Sequence, residues 1–223
     1  MEATEINKFW ERVLSHFRDF YRYTDSAHRL DHILSVKSNA VRIAYLLNET
    51  QHLKNVLVAV AAHDIFSTPA DRASHHIKAF NYVLDSAPIL RRRFKLSSDD
   101  VTEVAYAVLE HRSSHKGGYN SIVSEIVAAA DRGIPTIEEV KNYMHRSYLY
   151  ARDHGKSVTD SKFHAISHVQ NKFGRNGKSR VPDWYNALFA KEILERQEYV
   201  EMLDLAYFTD EIITGLESRL QQH

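Results

Sequence analysis

Residues 56–62 read Val-Leu-Val-Ala-Val-Ala-Ala, an unbroken apolar run that passes directly into His63-Asp64. A run this short can be a buried strand, but its three alanines and the polar lead-in from Gln51 to Asn55 favour a helix that is apolar on every side. A helix of that kind belongs in an interior. It therefore carries a histidine and an aspartate into the fold just before Ser67-Thr68-Pro69 ends it. An ionised carboxylate is costly to desolvate, so Asp64 needs a cationic or metal partner. The dipeptide alone is weak evidence, because with 14 histidines in the chain roughly one such pair is expected by chance.

Its neighbours give it weight. Val36, Ala40, Ile43 and Leu47 continue from His32 at helical steps, which puts His32 on an inward stripe with His28 one turn before it. In the segment 121–131, Ile122, Val123, Ile126, Val127 and Ala130 form another inward face, and Asp131 falls on it. Gly133-Ile134-Pro135 ends that helix. Each of these residues alone reads as a hydrogen-bonded core histidine or a helix cap. Together, His32, His63, Asp64 and Asp131 point four ligands from three helices at one locus, the pattern of a divalent metal site. The chain has no cysteine, so any metal must be held by nitrogen and oxygen.

The rest of the sequence predicts an all-α protein. Period-2 alternation beside hairpin turn chemistry is missing, and the 7 Gly and 4 Pro cluster between long periodic segments. Helices are expected near 4–22, 27–48, 51–65, 71–86, 99–112, 121–131, 136–153, 184–198 and 199–219. A single domain over 1–223 is the simplest account, with the metal-site core at about 20–135 and C-terminal helices 136–220 packing on it. Lys plus Arg balances Asp plus Glu at 29 each, which argues against nucleic acid or an anionic membrane as partner. No run approaches the ~18 apolar residues of a membrane span, and the N-terminus lacks the pattern of a secretion signal. A cytoplasmic location is expected.

At this point the chain resembles a known family. Ala27-His28-Arg29-Leu30-Asp31-His32-Ile33-Leu34-Ser35-Val36 is similar to the first motif of the HD-domain metal-dependent phosphohydrolases. Val60-Ala61-Ala62-His63-Asp64-Ile65 resembles the motif that names them, and Glu125 to Arg132 their last motif, whose Asp completes the metal shell. Val108 to Ser114 resembles the helix that ends in His followed by Ser in the small stand-alone bacterial YedJ-like type. The similarity runs from about residue 20 to 135, with a weaker echo in His168–Phe173 and Ala190–Leu203. Arg29, Ala129, Gly133 and Ile65-Phe66-Ser67 depart from the pattern without touching the four ligands.

The resemblance implies hydrolysis of a nucleotide or other small phosphate ester by a metal-activated water. The ligands would be His32, His63, Asp64 and Asp131, with Asp64 and His111 in catalytic roles. The mixed donor set suits Mn, Fe, Co, Ni or Mg. Arg112, Lys116 and Arg72 are the candidate substrate contacts, with Lys78 and Arg132 behind them. One ion is expected, with His111 as an orienting or proton-transfer group. A two-ion site would draw on His75, His76, His111 or His115. The run Arg91–Lys95 and the segment Lys172–Arg180 read as solvated surface, the latter alternatively as a cover over a polyphosphate. Tyr143, Tyr148, Tyr150, Trp184 and Tyr185 read as packing rather than a base-stacking box. Competing readings are a di-iron oxygenase of the same fold, which needs the extra histidines, and a non-catalytic nucleotide-binding protein. Substrate identity and oligomeric state stay open.

Overall fold

The structure is a computed structural model and describes residues 2–177 and 180–220. Lys178 and Ser179, part of the Lys172–Arg180 segment, lie outside the described residues. Twelve α-helices and no strand occur among the described residues, as the absence of period-2 patterning predicts. They are α1 (Ala3–Phe17), α2 (Leu30–Leu46), α3 (Leu53–Ala62), α4 (His75–Asp85), α5 (Ala87–Phe94), α6 (Ser98–Glu110), α7 (Ile122–Arg132), α8 (Ile137–Asp153), α9 (Val158–Phe173), α10 (Asp183–Leu188), α11 (Ala190–Glu201) and α12 (Asp210–Leu220).

Three differences from the sequence reading have local causes. The expected helix 4–22 tightens at Arg18 into a 3-10 turn. Helix α5 forms between the expected helices 71–86 and 99–112, with Pro88 in its first turn, Leu90 and Phe94 buried, and Lys95 in the left-handed conformation that ends it. Helix α9 lies in a stretch rich in polar residues. It is started by Ser157, whose hydroxyl accepts from the Asp160 amide, and is held by the buried face Ala165, Ile166, Val169 and Phe173.

The chain divides into two compact units. The first contains α1–α7 and the short stretch 180–183. Its centre is α3, which packs against α1, α2, α6 and α7. Val56 to Ala62 are all fully buried, so the apolar run is a helix surrounded on every side. Helix α6 is fixed at its start by a capping box, in which the Ser97 hydroxyl and Asp100 satisfy each other's backbone amides. The Asn55 side chain on α3 donates to Asp100 (2.8 Å) and Glu103 (2.7 Å), tying α3 to α6.

The second unit is built from α8, α9, α11 and α12, with residues 25–27 and most of α10. Its core gathers Met144, Tyr148, Val169, Phe173, Val200 and Leu216. Tyr148 and Tyr185 are fully buried side chains and Tyr143 packs on this core, in keeping with packing roles. No helix among the described residues is long and apolar enough to cross a membrane.

Candidate metal centre

Helix α3 ends inside the first unit, so its last carbonyls have no helical partner and no water to turn to. Side chains supply the partners. The Tyr21 hydroxyl donates to the Ala61 carbonyl (2.8 Å), and the His63 ring donates through Nδ1–H to the Val60 carbonyl (2.8 Å). His111, the first residue past α6, repeats the device on the Val108 carbonyl (2.6 Å). His75, at the start of α4, does the same with the Arg72 carbonyl (2.8 Å). A carbonyl can only accept, so each of these rings carries its proton on Nδ1 when neutral. Each therefore presents an Nε2 lone pair, the form in which imidazole binds metal.

Those lone pairs converge on Asp64. Its Oδ2 lies 3.1 Å from His63 Nε2 and 3.4 Å from His32 Nε2. Its Oδ1 lies 3.2 Å from His75 Nε2 and 3.5 Å from His111 Nε2, and accepts from the Ser67 hydroxyl at 2.9 Å. Asp131 closes the first side, with Oδ1 at 3.2 Å from His32 Nε2 and 3.9 Å from His63 Nε2. Its other oxygen pairs with Arg132. All four residues nominated as ligands thus meet at one locus, with His75 and His111 added on the far side of Asp64.

Electrostatics favours a bound cation. Burial works against ionisation of Asp64 and Asp131, yet the His63 imidazole beside Asp64 and the Arg132 guanidinium beside Asp131 hold both carboxyls well below the usual range. Burial also opposes a charge on His63, but Asp64 and then Asp131 more than offset it and lift its pKa to about 9. Burial dominates at His111 and pushes it down to about 4, so its ring stays neutral. Two carboxylates therefore face a pocket that attracts positive charge, either a proton on His63 or a metal ion.

The fit to a metal rests on orphaned atoms. Among the described residues, the Nε2 atoms of His32 and His63 are buried, face carboxylate oxygens and in their unprotonated form have no hydrogen-bond partner, which is costly unless a proton or a metal ion meets their lone pairs. Three groupings bring one ligand atom from each member within 4.8 Å of the others: His32, His63 and Asp64; His63, His111 and Asp131; and Asp64, His75 and His111. This buried cluster can hold a metal ion.

The surrounding cations occupy distinct positions. Arg72 sits 3.1 Å from His28, and Arg112 donates to the Ala73 carbonyl (2.8 Å). Burial lowers the pKa of Arg112, and Arg72 and Arg132 are near enough to lower it further, with Asp64 pulling the other way. Three guanidiniums therefore gather about the ligands. Lys116 is exposed on the loop that follows His111, and Lys78 is paired with Asp71 (2.5 Å). Of the pair His75-His76, His75 is the member whose Nε2 faces Asp64 (3.2 Å) and joins the cluster.

The sequence reading left His75 optional because it follows His63 by only a dozen residues. The available signal was a histidine set at a helix terminus, the placement His63 and His111 share. Comparison with protein-family models, curated proteins and solved structures returns no match.

Proposed function

We propose that this protein is a metal-dependent phosphohydrolase of the HD-domain type, acting on a nucleotide or other small phosphate ester or anhydride. The observation that carries the reading is Asp64, whose two oxygens each face a separate pair of imidazole nitrogens. A carboxylate placed in this way could serve two cations, so we read the site as one in which His32, His63 and Asp131 would hold one ion and His75 and His111 a second, with Asp64 shared, rather than the single ion expected from the sequence. His111 then acts as a ligand rather than as a proton-transfer group. A divalent cation in such a site supplies a water acidified toward a pKa of ~7 and polarises a phosphoryl oxygen. The N/O donor set suits Mn, Fe, Co, Ni or Mg.

The protein's own residues divide the remaining work. The backbone carbonyls of Val60, Arg72 and Val108 hold the Nδ1–H of three rings, so each ring in its neutral form turns its Nε2 lone pair toward Asp64 without a change of tautomer. Ser67 fixes the rotation of the Asp64 carboxylate. Arg72, Arg112 and Arg132 supply positive charge for phosphoryl oxygens, a task for which the planar guanidinium is suited.

The test is Asp64→Ala in the metal-loaded protein, assayed by phosphate release over a panel of nucleotides and simple phosphate esters. Loss of turnover with helical content retained by circular dichroism is expected. A variant with wild-type turnover refutes the assignment.

The same expanded histidine set suits the second reading, a di-iron oxygenase. It is distinguished by oxygen uptake that depends on iron and is absent with manganese or magnesium. We favour hydrolysis because three arginines about the ligands match an anionic substrate.

A further inference from the structure

Glu5, Lys8, Phe9 and Arg12 share one face of α1, and with Lys54 from the second position of α3 they line an open cavity of about 500 Å³. Phe9 is its apolar wall and is only 3% exposed. The Arg12 guanidinium lies over that ring, with Cζ 5.4 Å from the centroid. Contact with an aromatic face narrows the orientations open to a guanidinium and leaves its N–H edge for another partner.

Three of the five lining residues are cations, and none has an anion to meet it. Among the described residues, the side chains of Lys8, Arg12 and Lys54 form no ion pair and no hydrogen bond. Glu5, the acid of the lining, accepts from the Glu2 amide through Oε2 (3.0 Å) and so serves the start of α1. Asp100 is close enough to Lys54 to feel its charge, but both of its oxygens are engaged. One accepts from Asn55 (2.8 Å), the other from the Ser97 amide (2.7 Å) and hydroxyl (2.8 Å).

Local physics disfavours this arrangement in two ways. Lys8 and Arg12 stand four residues apart on α1, where like charges repel. Lys54 sits in the first turn of α3, which has no acidic residue and no side-chain cap, and a cation there opposes the helix dipole. One anion in the cavity relieves both. Local rules broken together at one spot mark a functional position more often than a structural one.

We propose that this cavity binds a small polyphosphate anion through Lys8, Arg12 and Lys54. The inference is independent of the phosphohydrolase reading. Two ammonium groups and a guanidinium call for several negative charges on one ligand, which a phosphate chain carries and a single carboxylate does not. The volume lies in the range of small-molecule sites. A nucleic-acid strand would need a basic surface running beyond one cavity, against a chain whose charges balance at 29 each. The site is separate from the metal centre, because Lys54 and His63 stand at opposite ends of α3, roughly 13 Å apart at 1.5 Å per residue.

Calorimetry with inorganic triphosphate tests this on the full chain in a chelating buffer, which keeps the metal centre from recruiting the probe. One binding event is expected in the wild type. Arg12→Gln and Lys54→Gln should each weaken it roughly 10-fold, and Arg12→Lys should recover most of the loss by keeping the charge. The triple variant Lys8→Gln/Arg12→Gln/Lys54→Gln should not bind detectably. All three positions are exposed, so circular dichroism should be unchanged. Asp64→Ala should bind as the wild type does; affinity lost with Asp64 would place the probe at the metal centre and overturn the proposal. Orthophosphate is expected to bind at least roughly 10-fold more weakly than triphosphate, and equal affinity overturns the polyphosphate assignment. Adenosine triphosphate run alongside identifies the source, and both of its outcomes support the site: binding as tight as triphosphate shows that an organic phosphate is accepted, and exclusion shows that free polyphosphate is taken. No binding of triphosphate, or a triple variant that binds as the wild type does, overturns the proposal. So does a single-stranded oligonucleotide that binds more tightly than triphosphate and is lost in the triple variant.

Discussion

Asp64 concentrates the chemistry of the first unit in one side chain, because both of its oxygens are engaged by imidazoles from different helices. If each oxygen serves its own ion, chelator-stripped wild type should take up about two equivalents of Mn²⁺ in calorimetry. His75→Ala or His111→Ala should take up about one, and Asp64→Ala should lose tight binding altogether. One equivalent in the wild type, unaffected by His111→Ala, would restore the single-ion arrangement. The pH dependence of uptake has a definite sign. The stripped cluster favours a proton on His63 up to a pKa of about 9, and a metal ion must displace that proton. Affinity should therefore rise as pH increases from 6 toward 9, with protons released on binding. In the stripped protein the same proton contributes stability that is fully present below the unfolded value of 6.5 and lost as pH rises through about 9. An affinity that is flat over this range would show that His63 is not protonated before metal arrives.

At the scale of elements, the site depends on how helices end rather than on how they run. Helices α3 and α6 stop one residue before a histidine, and that histidine satisfies the orphan carbonyl three residues back. A helix end in the second unit shows a different solution. Glu217 on α12 accepts from Tyr148 (2.5 Å) and from Arg152 Nε (2.8 Å) and Nη2 (3.1 Å), clasping α12 to α8. Hydrogen bonding from Arg152 lowers the Glu217 pKa below its ordinary 4.5. The clasp therefore contributes stability above that value, and the contribution is lost as pH falls through the folded pKa. Because the groups are about one-quarter exposed, Glu217→Gln should cost only roughly 1–2 kcal/mol at neutral pH. The difference should vanish in acid. Denaturation followed by Trp184 fluorescence in a Trp10→Phe background reads this unit, since Trp10 lies in the other. A cost that persists unchanged at low pH would mean the carboxylate charge is not what holds α12.

For the whole molecule, the division into two units separates metal-dependent from metal-independent stability. Every candidate ligand belongs to the first unit, on or beside α2, α3, α4, α6 and α7. Metal bound only by the folded state stabilises by mass action. Chelation should therefore lower the melting temperature and raise amide hydrogen exchange in those five helices. The amides of α8, α9, α11 and α12 should be little changed. Uniform deprotection of all the helices on chelation would show that the two units unfold as one.

The α-class of the protein and the gathering of His32, His63, Asp64 and Asp131 were legible in the sequence because both follow from periodicity. A residue at a helical step from buried neighbours shares their side, and an all-apolar helix has nowhere to go but inside. Helix α9 was hidden because its buried apolar face is carried only by Ala165, Ile166, Val169 and Phe173 among polar residues, and only Ser157 and Asp160 mark its start. The inclusion of His75 and the contact of His28 with Arg72 were decided by tertiary structure alone. Each depends on which atom of one ring or chain meets which atom of a residue tens of positions away, as Arg72 meets His28 across 44 residues. Periodicity reports the face a side chain lies on. Donor and acceptor roles are assigned only when a partner with fixed chemistry, a carbonyl or a guanidinium, is brought within 3 Å or so by the packing of separate helices.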